Sequence, residues 1–297
     1  MLRKSRIDTL GASVLLFNSA LFGLNQVLIK LVNAGLQPVL QAGLRSLLGI
    51  VPLLVFVWLA RRRLSISDGS LLPGLLCGLL FSAEFLFLFL ALDHTSVARV
   101  SVIFYAMPVW LTVAAHFLVP GERLSLPRVI GLIVAVCGVA LAMSVRDDQA
   151  GATSWLGDLF CVLASICWAA IALSARLTGL SRASPEMQLL YQLGVSSLVL
   201  LPASLFFGDL VREMTPALAG ILVFQAVVVV MMGFLLWFWV LSIYPASDMA
   251  VFGFLVPVFG VFFGWLVLDE RITATVIGSL LLVSAGIVLI NRKPRGA

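Results

Sequence analysis

Charge is scarce in this chain: Lys, Arg, Asp and Glu together make up 11% of its 297 residues, against roughly a quarter in soluble domains. So few ionic side chains cannot clothe a water-facing surface, which excludes an ordinary globular protein. Cysteine occurs four times and histidine twice. Cys77, Cys137, Cys161 and Cys167 all sit inside apolar stretches without metal-ligand spacing, so a disulfide framework and a cysteine-rich metal centre are excluded and they read as small buried hydrophobes. The chain has no H-E-x-x-H, no catalytic Ser-His or Asp-His constellation and no G-x-x-x-x-G-K-[ST] phosphate loop, which argues against an enzyme, a metal or cofactor requirement and direct nucleotide-driven work. Nor does a Ser/Gly-rich linker or low-complexity tract mark off a separate soluble domain.

Apolar length is abundant. Hydrophobic residues form 62% of the sequence, the mean hydropathy is +1.14, and runs near the ~20 residues that cross a hydrocarbon layer fall at about 10–32, 38–60, 70–92, 97–118, 127–145, 155–176, 186–207, 217–241, 247–268 and 273–291. The fold class is therefore all-α: a polytopic membrane protein of ten transmembrane helices in one membrane-embedded body. The first run is too long for a signal peptide and carries Asn18, Asn25, Gln26 and Lys30, so it is predicted to be retained as a span.

The formal net charge of +5 reflects topology. Arg3, Lys4, Arg6, Arg61, Arg62, Arg63, Arg123, Arg128, Arg176, Arg182, Arg292, Lys293 and Arg295 gather on one side of the expected membrane, whereas the other side holds Arg99, Arg146, Arg212 and Arg271. By the positive-inside rule both termini are expected in the cytoplasm of a multi-pass plasma (inner) membrane protein. Basic residues strung along a membrane face, without interleaved stacking aromatics, do not suit nucleic acid. The expected partners are the lipid bilayer and a small-molecule solute, with monomer and homodimer both open.

Two stretches echo each other. YAMPVWLTVAAHFLVPGER (105–123) and FLVPVFGVFFGWLVLDER (254–271) each carry a proline inside an apolar run that stops at Glu-Arg. Pro108 precedes Glu122 by 14 residues and Pro257 precedes Glu270 by 13, and the helices that follow carry Gly131 with Gly138 and Gly278 with Gly286. A five-plus-five repeat is expected, residues 1–146 and 147–297. An odd number of spans per copy turns the second upside down, the architecture by which many transporters expose a central site to alternate sides. Proline and glycine are also commoner in membrane helices generally, which is the plainer reading. Pro108 and Pro257 are expected to kink or hinge their helices. Gly253 and Gly260, with Gly264, give the ninth span a small-residue face for close packing or a sliding gate.

The stretches FGLNQVLIK, LQAGLRSLLG, FLALDHTSVARVSVIFYAMPVW, VPGERLSLPRVIG and VPVFGVFFGWLVLDERITATVIG resemble, in order and spacing over nearly the whole chain, the drug/metabolite transporter superfamily, in particular its ten-helix EamA-type exporters. Within it the general likeness is to the bacterial aromatic amino-acid exporters. The resemblance implies export of small metabolites without nucleotide hydrolysis. It matches Asn25, Lys30 and Arg45 to recurring polar positions of the family without assigning them roles.

Ionisable groups at membrane depth cost about 2.5–3.5 kcal/mol each on insertion scales. Lys30 and Arg45 are expected near span ends, where long stems can snorkel, and structural anchoring or pairing is the leading role for each. Glu84 stands near the middle of the third span and cannot. It is a candidate to bind a substrate amino group, to accept a coupling proton or to stay protonated, and a merely water-exposed carboxyl fits as well. Ser101, Tyr105, Pro108, Thr112 and His116 draw a semi-polar stripe at helical spacing, suited to a cavity wall or to helix–helix hydrogen bonds. Asp158, Cys161, Ser165 and Trp168 form a stripe on the sixth span, Gln188, Tyr191, Gln192 and Ser196 share a face of the seventh, and Gln225, Met232 and Trp239, with Trp237 close by, mark the eighth. Amides and aromatic faces around a central space suit a neutral or zwitterionic solute. The candidate substrate contacts are Glu84, Tyr105, Trp168, Tyr191, Gln192, Gln225 and Trp237. The leading expectation is a secondary exporter of small organic metabolites, amino acids with aromatic or apolar side chains above all, by alternating access. The alternatives are a proton-coupled exporter of cationic drugs and, further off, a membrane-embedded enzyme or a receptor-like scaffold.

Overall fold

In hydrocarbon a backbone must satisfy its own polar groups, and helices do so segment by segment. The computed structural model describes residues 7–122, 124–144, 154–244 and 252–291. The helices are α1 (Thr9–Asn33), α2 (Pro38–Leu59), α3 (Leu71–His94), α4 (Val97–Phe104), α5 (Met107–Leu118), α6 (Leu126–Ser144), α7 (Ser154–Leu177), α8 (Pro185–Ala203), α9 (Pro216–Phe224), a π-helical segment (Gln225–Gly233), α10 (Phe234–Ile243), α11 (Leu255–Leu268) and α12 (Ala274–Asn291). Among the described residues nine spans are long and apolar enough to cross a membrane, counting α4 with α5 as one, and α11 is a shorter tenth. The chain is a polytopic all-helical membrane protein. The expected start of the ninth span near 247, and the basic residues Arg3, Lys4, Arg6, Arg123, Arg146, Arg292, Lys293 and Arg295, lie outside the described residues.

Local chemistry sets the helix starts. Asp8 accepts the Gly11 N–H at 2.9 Å, and Ser184 and Thr215 accept from Met187 and Leu218. Pro38, Pro185 and Pro216 open their helices, where a missing N–H goes unmissed.

The fourth span breaks where proline predicts. Tyr105 and Ala106 leave helical ψ, at 3° and 5°, and α5 restarts with Pro108 in its first turn. The ninth span is interrupted at Phe254, with ψ −12°, again three residues before its proline, Pro257. Expected as a plain span, the eighth instead widens into a nine-residue π-helix.

The repeated glycines meet each other. α6 packs on α12 so closely that a Cβ at Gly286 would fall 2.6 Å from the Ala135 Cβ and the Gly131 carbonyl oxygen, and one at Gly138 would fall 2.8 Å from Val283. Gly278 has only Leu141 nearby, at 3.6 Å. Gly74 and Gly78 likewise bring α3 onto Tyr191 and Val195 of α8.

The bundle has two ends. One gathers the turns around 34–37, 95–96, 204–215 and 269–273, cross-linked by the Leu36–Val211 bridge and by Gln37 Nε2 donating to the Ser204 carbonyl at 2.8 Å. The other gathers those around 60–70, 119–125 and 178–184, with the start of α1 held to the end of α10 by the Tyr244 hydroxyl donating to Asp8 at 2.6 Å. The Glu270 turn belongs to the first end and the Glu122 turn to the second.

Candidate functional site

Midway between the ends, α1, α2, α3, α4 and α7 bring polar and aromatic side chains together. Arg45, 2% exposed, donates from Nη1 to Asn25 Oδ1 at 3.2 Å. Its guanidinium carbon lies 4.5 Å from the Phe85 ring centroid and 4.8 Å from that of Phe89. The expectation that Arg45 snorkels is overturned: it lies in the second turn of α2 facing α3, and aromatic faces replace water around the cation. Glu84 is 6% exposed and accepts no hydrogen bond among the described residues. Arg45 and Glu84 lie within electrostatic reach of each other, yet among the described residues no ion pair joins them.

Aromatic rings pack around these side chains. Phe81 lies 3.9 Å from Phe85 and 6.3 Å from Phe234, which meets Phe22 edge-on at 5.6 Å. On the α4 and α7 side Trp168 stacks on Phe104 at 4.8 Å and takes Tyr105 edge-on at 5.5 Å. Tyr105, at the break between α4 and α5, is within the field of Glu84. Next to it Ser101 donates to Gln26 Oε1 at 2.6 Å. Gly260 of α11 is pressed onto both: a Cβ there would meet the Gln26 oxygen at 3.3 Å and collide with the serine.

Beyond the break lies a pocket of ≈ 110 Å³ lined by Pro108, Thr112, His116, Glu122, Arg128 and Arg176 among others. Arg176 donates to Glu122 at 3.1 Å across it, both side chains nearly half exposed. His116 Nδ1 accepts the Leu124 N–H at 3.4 Å, so it is a packed, partnered imidazole. The semi-polar stripe thus divides: Ser101 hydrogen-bonds to α1 and Tyr105 packs on Trp168, while Pro108, Thr112 and His116 line the pocket.

The opposite end is more heavily tied. Glu270 accepts the N–H groups of Val97 at 2.8 Å and Ala98 at 3.0 Å, at the start of α4. Lys30 lies 3.6 Å from Glu270 and donates to the Thr95 carbonyl at 2.5 Å, so its ammonium is engaged at the span end and not free in water. Arg99 and Asp158 form a buried ion pair supported by Thr95. Arg212 grips Asp93 with two bonds, at 2.8 and 2.9 Å, and donates to the Asn33 carbonyl. The Asp93 hydrogen bond also raises the Arg212 pKa.

Of the predicted contacts, Tyr105 and Trp168 meet directly, Arg45 is bonded to Asn25, and Glu84 lies within electrostatic reach of both Tyr105 and Arg45. Gln225 is fully buried at the start of the π-helix. Gln192 lies nearer the pocket end, its amide 3.4 Å from Cys77 Sγ. Tyr191 packs on Gly74 with its hydroxyl 3.2 Å from Ser70 Oγ, and Trp237 packs beside Leu15, Val240 and Tyr244. Both therefore stand apart from the Glu84 cluster. Gly253 has open space around it. Gln26, Gln41 and Ser46 were not singled out in sequence as contacts, although polar residues inside FGLNQVLIK and LQAGLRSLLG were the available signal.

The EamA-like transporter family matches twice, over residues 9–144 and 155–292. Among curated relatives, "Uncharacterized transporter YoaV" of Bacillus subtilis is 27% identical over 91% of this chain and 92% of its own length. "Probable amino-acid metabolite efflux pump" of Escherichia coli is 28% identical over 90% of each. A solved structure titled "Crystal structure of protein" superposes with a TM-score of 0.66 over 95% of this chain and 98% of its own, at 18% identity, and so shares the fold. The helical bundle, the glycine-paired halves of the sequence and these matches agree: this multi-pass membrane protein is a transporter, not an enzyme, and belongs to the EamA-like transporter family.

Proposed function

We propose that the chain is a secondary exporter of amino acids and similar small metabolites, aromatic and apolar ones included, working by alternating access. The observation that carries this reading is the buried guanidinium of Arg45 and the buried carboxyl of Glu84, close to each other without an ion pair and packed among aromatic rings. An unpaired charge in low dielectric costs several kcal/mol, and a zwitterion lying between the two would compensate both while its side chain meets Phe81, Phe85, Tyr105 and Trp168. A relative named as an amino-acid metabolite efflux pump supports the same solute class and direction.

Residues 1–146 and 147–297 act here as two inverted halves, in a bacterial inner membrane with both termini cytoplasmic. The pocket at Glu122 and Arg176 is then the cytoplasmic mouth, and the Glu270 end faces outward and is closed. Rearrangement at the breaks before Pro108 and Pro257, with α11 sliding on Gly260, would close one end and open the other. A proton-driven exporter of cationic drugs would also use Glu84, but Arg45 beside it disfavours a purely cationic solute.

The test is counterflow. Proteoliposomes preloaded with unlabelled phenylalanine, leucine or threonine should accumulate the labelled amino acid above protein-free vesicles, with and without a pH gradient. Failure across a full amino-acid panel would end this reading.

A further inference from the structure

The buried polar atoms left over around Arg45 carry an inference about how the solute is oriented, which rests on the reading of the centre as the substrate site. Arg45 has one edge free. Its Nη1 is used by Asn25 and its faces by Phe85 and Phe89, whereas its Nε has no partner among the described residues. Gln41, one turn earlier on the same face of α2, is 0% exposed with both amide atoms unpartnered, and the neighbouring Ser46 hydroxyl is unpartnered too.

The π-helix completes the set. It packs on α2 at Gly49, where a Cβ would meet Val230 at 3.2 Å and the Ala226 carbonyl oxygen at 3.6 Å. α2 and α9, which continues directly into the π-helix, run in the same direction, since Leu36 bridges Val211 shortly before α2 starts at Pro38 and α9 at Pro216, and Leu44 packs in the cluster of Leu222 and Ile221. Gln225 therefore lies at the height between Leu44 and Gly49, level with Arg45. It is 0% exposed, with both amide atoms unpartnered.

Donors outnumber acceptors among the unpartnered groups: a guanidinium N–H, two carboxamide NH₂ groups and a hydroxyl stand against two carboxamide oxygens, with Arg45 the cation of the set, while the Glu84 carboxyl makes no hydrogen bond among the described residues. A planar anion satisfies such a set through charge-assisted bonds. We infer that Arg45, Gln41, Ser46 and Gln225 form the docking site for the substrate's carboxylate, so that a free carboxylate is a requirement for recognition and the side chain is oriented toward the aromatic rings.

Matched pairs differing only in that group test the assignment: phenylalanine against phenethylamine, and leucine against isopentylamine, competing with labelled phenylalanine or leucine in counterflow by the wild-type full chain. The amino acid should compete at least tenfold better than its amine. In the Gln225→Leu variant the half-inhibitory concentration of phenylalanine should rise about tenfold while that of phenethylamine stays put. Because that variant could fail to assemble, the wild-type comparison stands alone as a test. Equal potency of acid and amine, as expected if the nest holds only water, overturns the assignment, as does a variant that shifts both compounds alike. A chain that moves the amines but no amino acid preserves a transporter of organic solutes and overturns the carboxylate site. A chain that moves neither overturns the export reading together with it.

Discussion

Glu270 holds the N–H groups of Val97 and Ala98 with its two carboxylate oxygens, at 2.8 and 3.0 Å, while Lys30 stands 3.6 Å away. The bond partners are 172 and 173 residues apart, so the turn after α11 is pinned to the start of α4. A carboxylate on a helix N-terminus is stabilised by the donors and by the helix dipole together.

Replacing Glu270 by Ala strands two buried donors and removes the partner of Lys30, and should cost about 1–3 kcal/mol. Asp, one methylene shorter, should not restore both bonds. Melting temperatures of the purified variants in one detergent check this: wild-type stability in Glu270→Ala would contradict it.

Glu122 and Arg176 form the contrasting pair. With side chains 42% and 46% exposed, they are screened by solvent, and Glu122→Gln should change stability by less than ~1 kcal/mol. Its effect belongs at the pocket, so the transport rate should move more than the melting temperature.

Arg99 and Asp158 are buried, with side chains 6% and 2% exposed. Arg99→Met leaves a carboxylate without its cation and should cost about 3–5 kcal/mol, with the double variant Arg99→Met/Asp158→Leu less damaged than Arg99→Met or Asp158→Leu alone. A double-mutant cycle reads the coupling, and strict additivity would remove the pair as a staple between α4 and α7.

The glycine contact of α6 and α12 gives a graded prediction. Gly286→Val drives a side chain into Ala135 and the Gly131 carbonyl, and should cost about 1–3 kcal/mol or prevent assembly. Gly278→Ala, with Leu141 at 3.6 Å, should be tolerated. Parallel melting curves would show the difference.

How legible this was in sequence varies by element. Span positions follow from apolar length, and the break before Pro108 follows from a missing amide and a ring clash, both local effects. The repeated glycines were readable as marks, but their meeting across α6 and α12 is tertiary. Arg45 was misjudged because snorkelling is argued along one helix, whereas Phe85 and Phe89 come from another. The π-helix and the Glu270 cap depend on neighbours far away in the chain. Glu84 was legible because a carboxyl mid-span has no local excuse, yet its separation from Arg45 is visible only in three dimensions.

The claim on which the rest depends is that solute occupies the space between Arg45 and Glu84. The direct measurement places single cysteines at Asn25 and at Trp168, in a chain whose four native cysteines are replaced, and follows alkylation by a small thiol reagent with and without saturating phenylalanine. Protection at both positions, with no change at a control cysteine at the exposed Leu72, at the start of α3, is the expected result. Equal alkylation rates with and without amino acid, in a variant that still performs counterflow, would contradict the account.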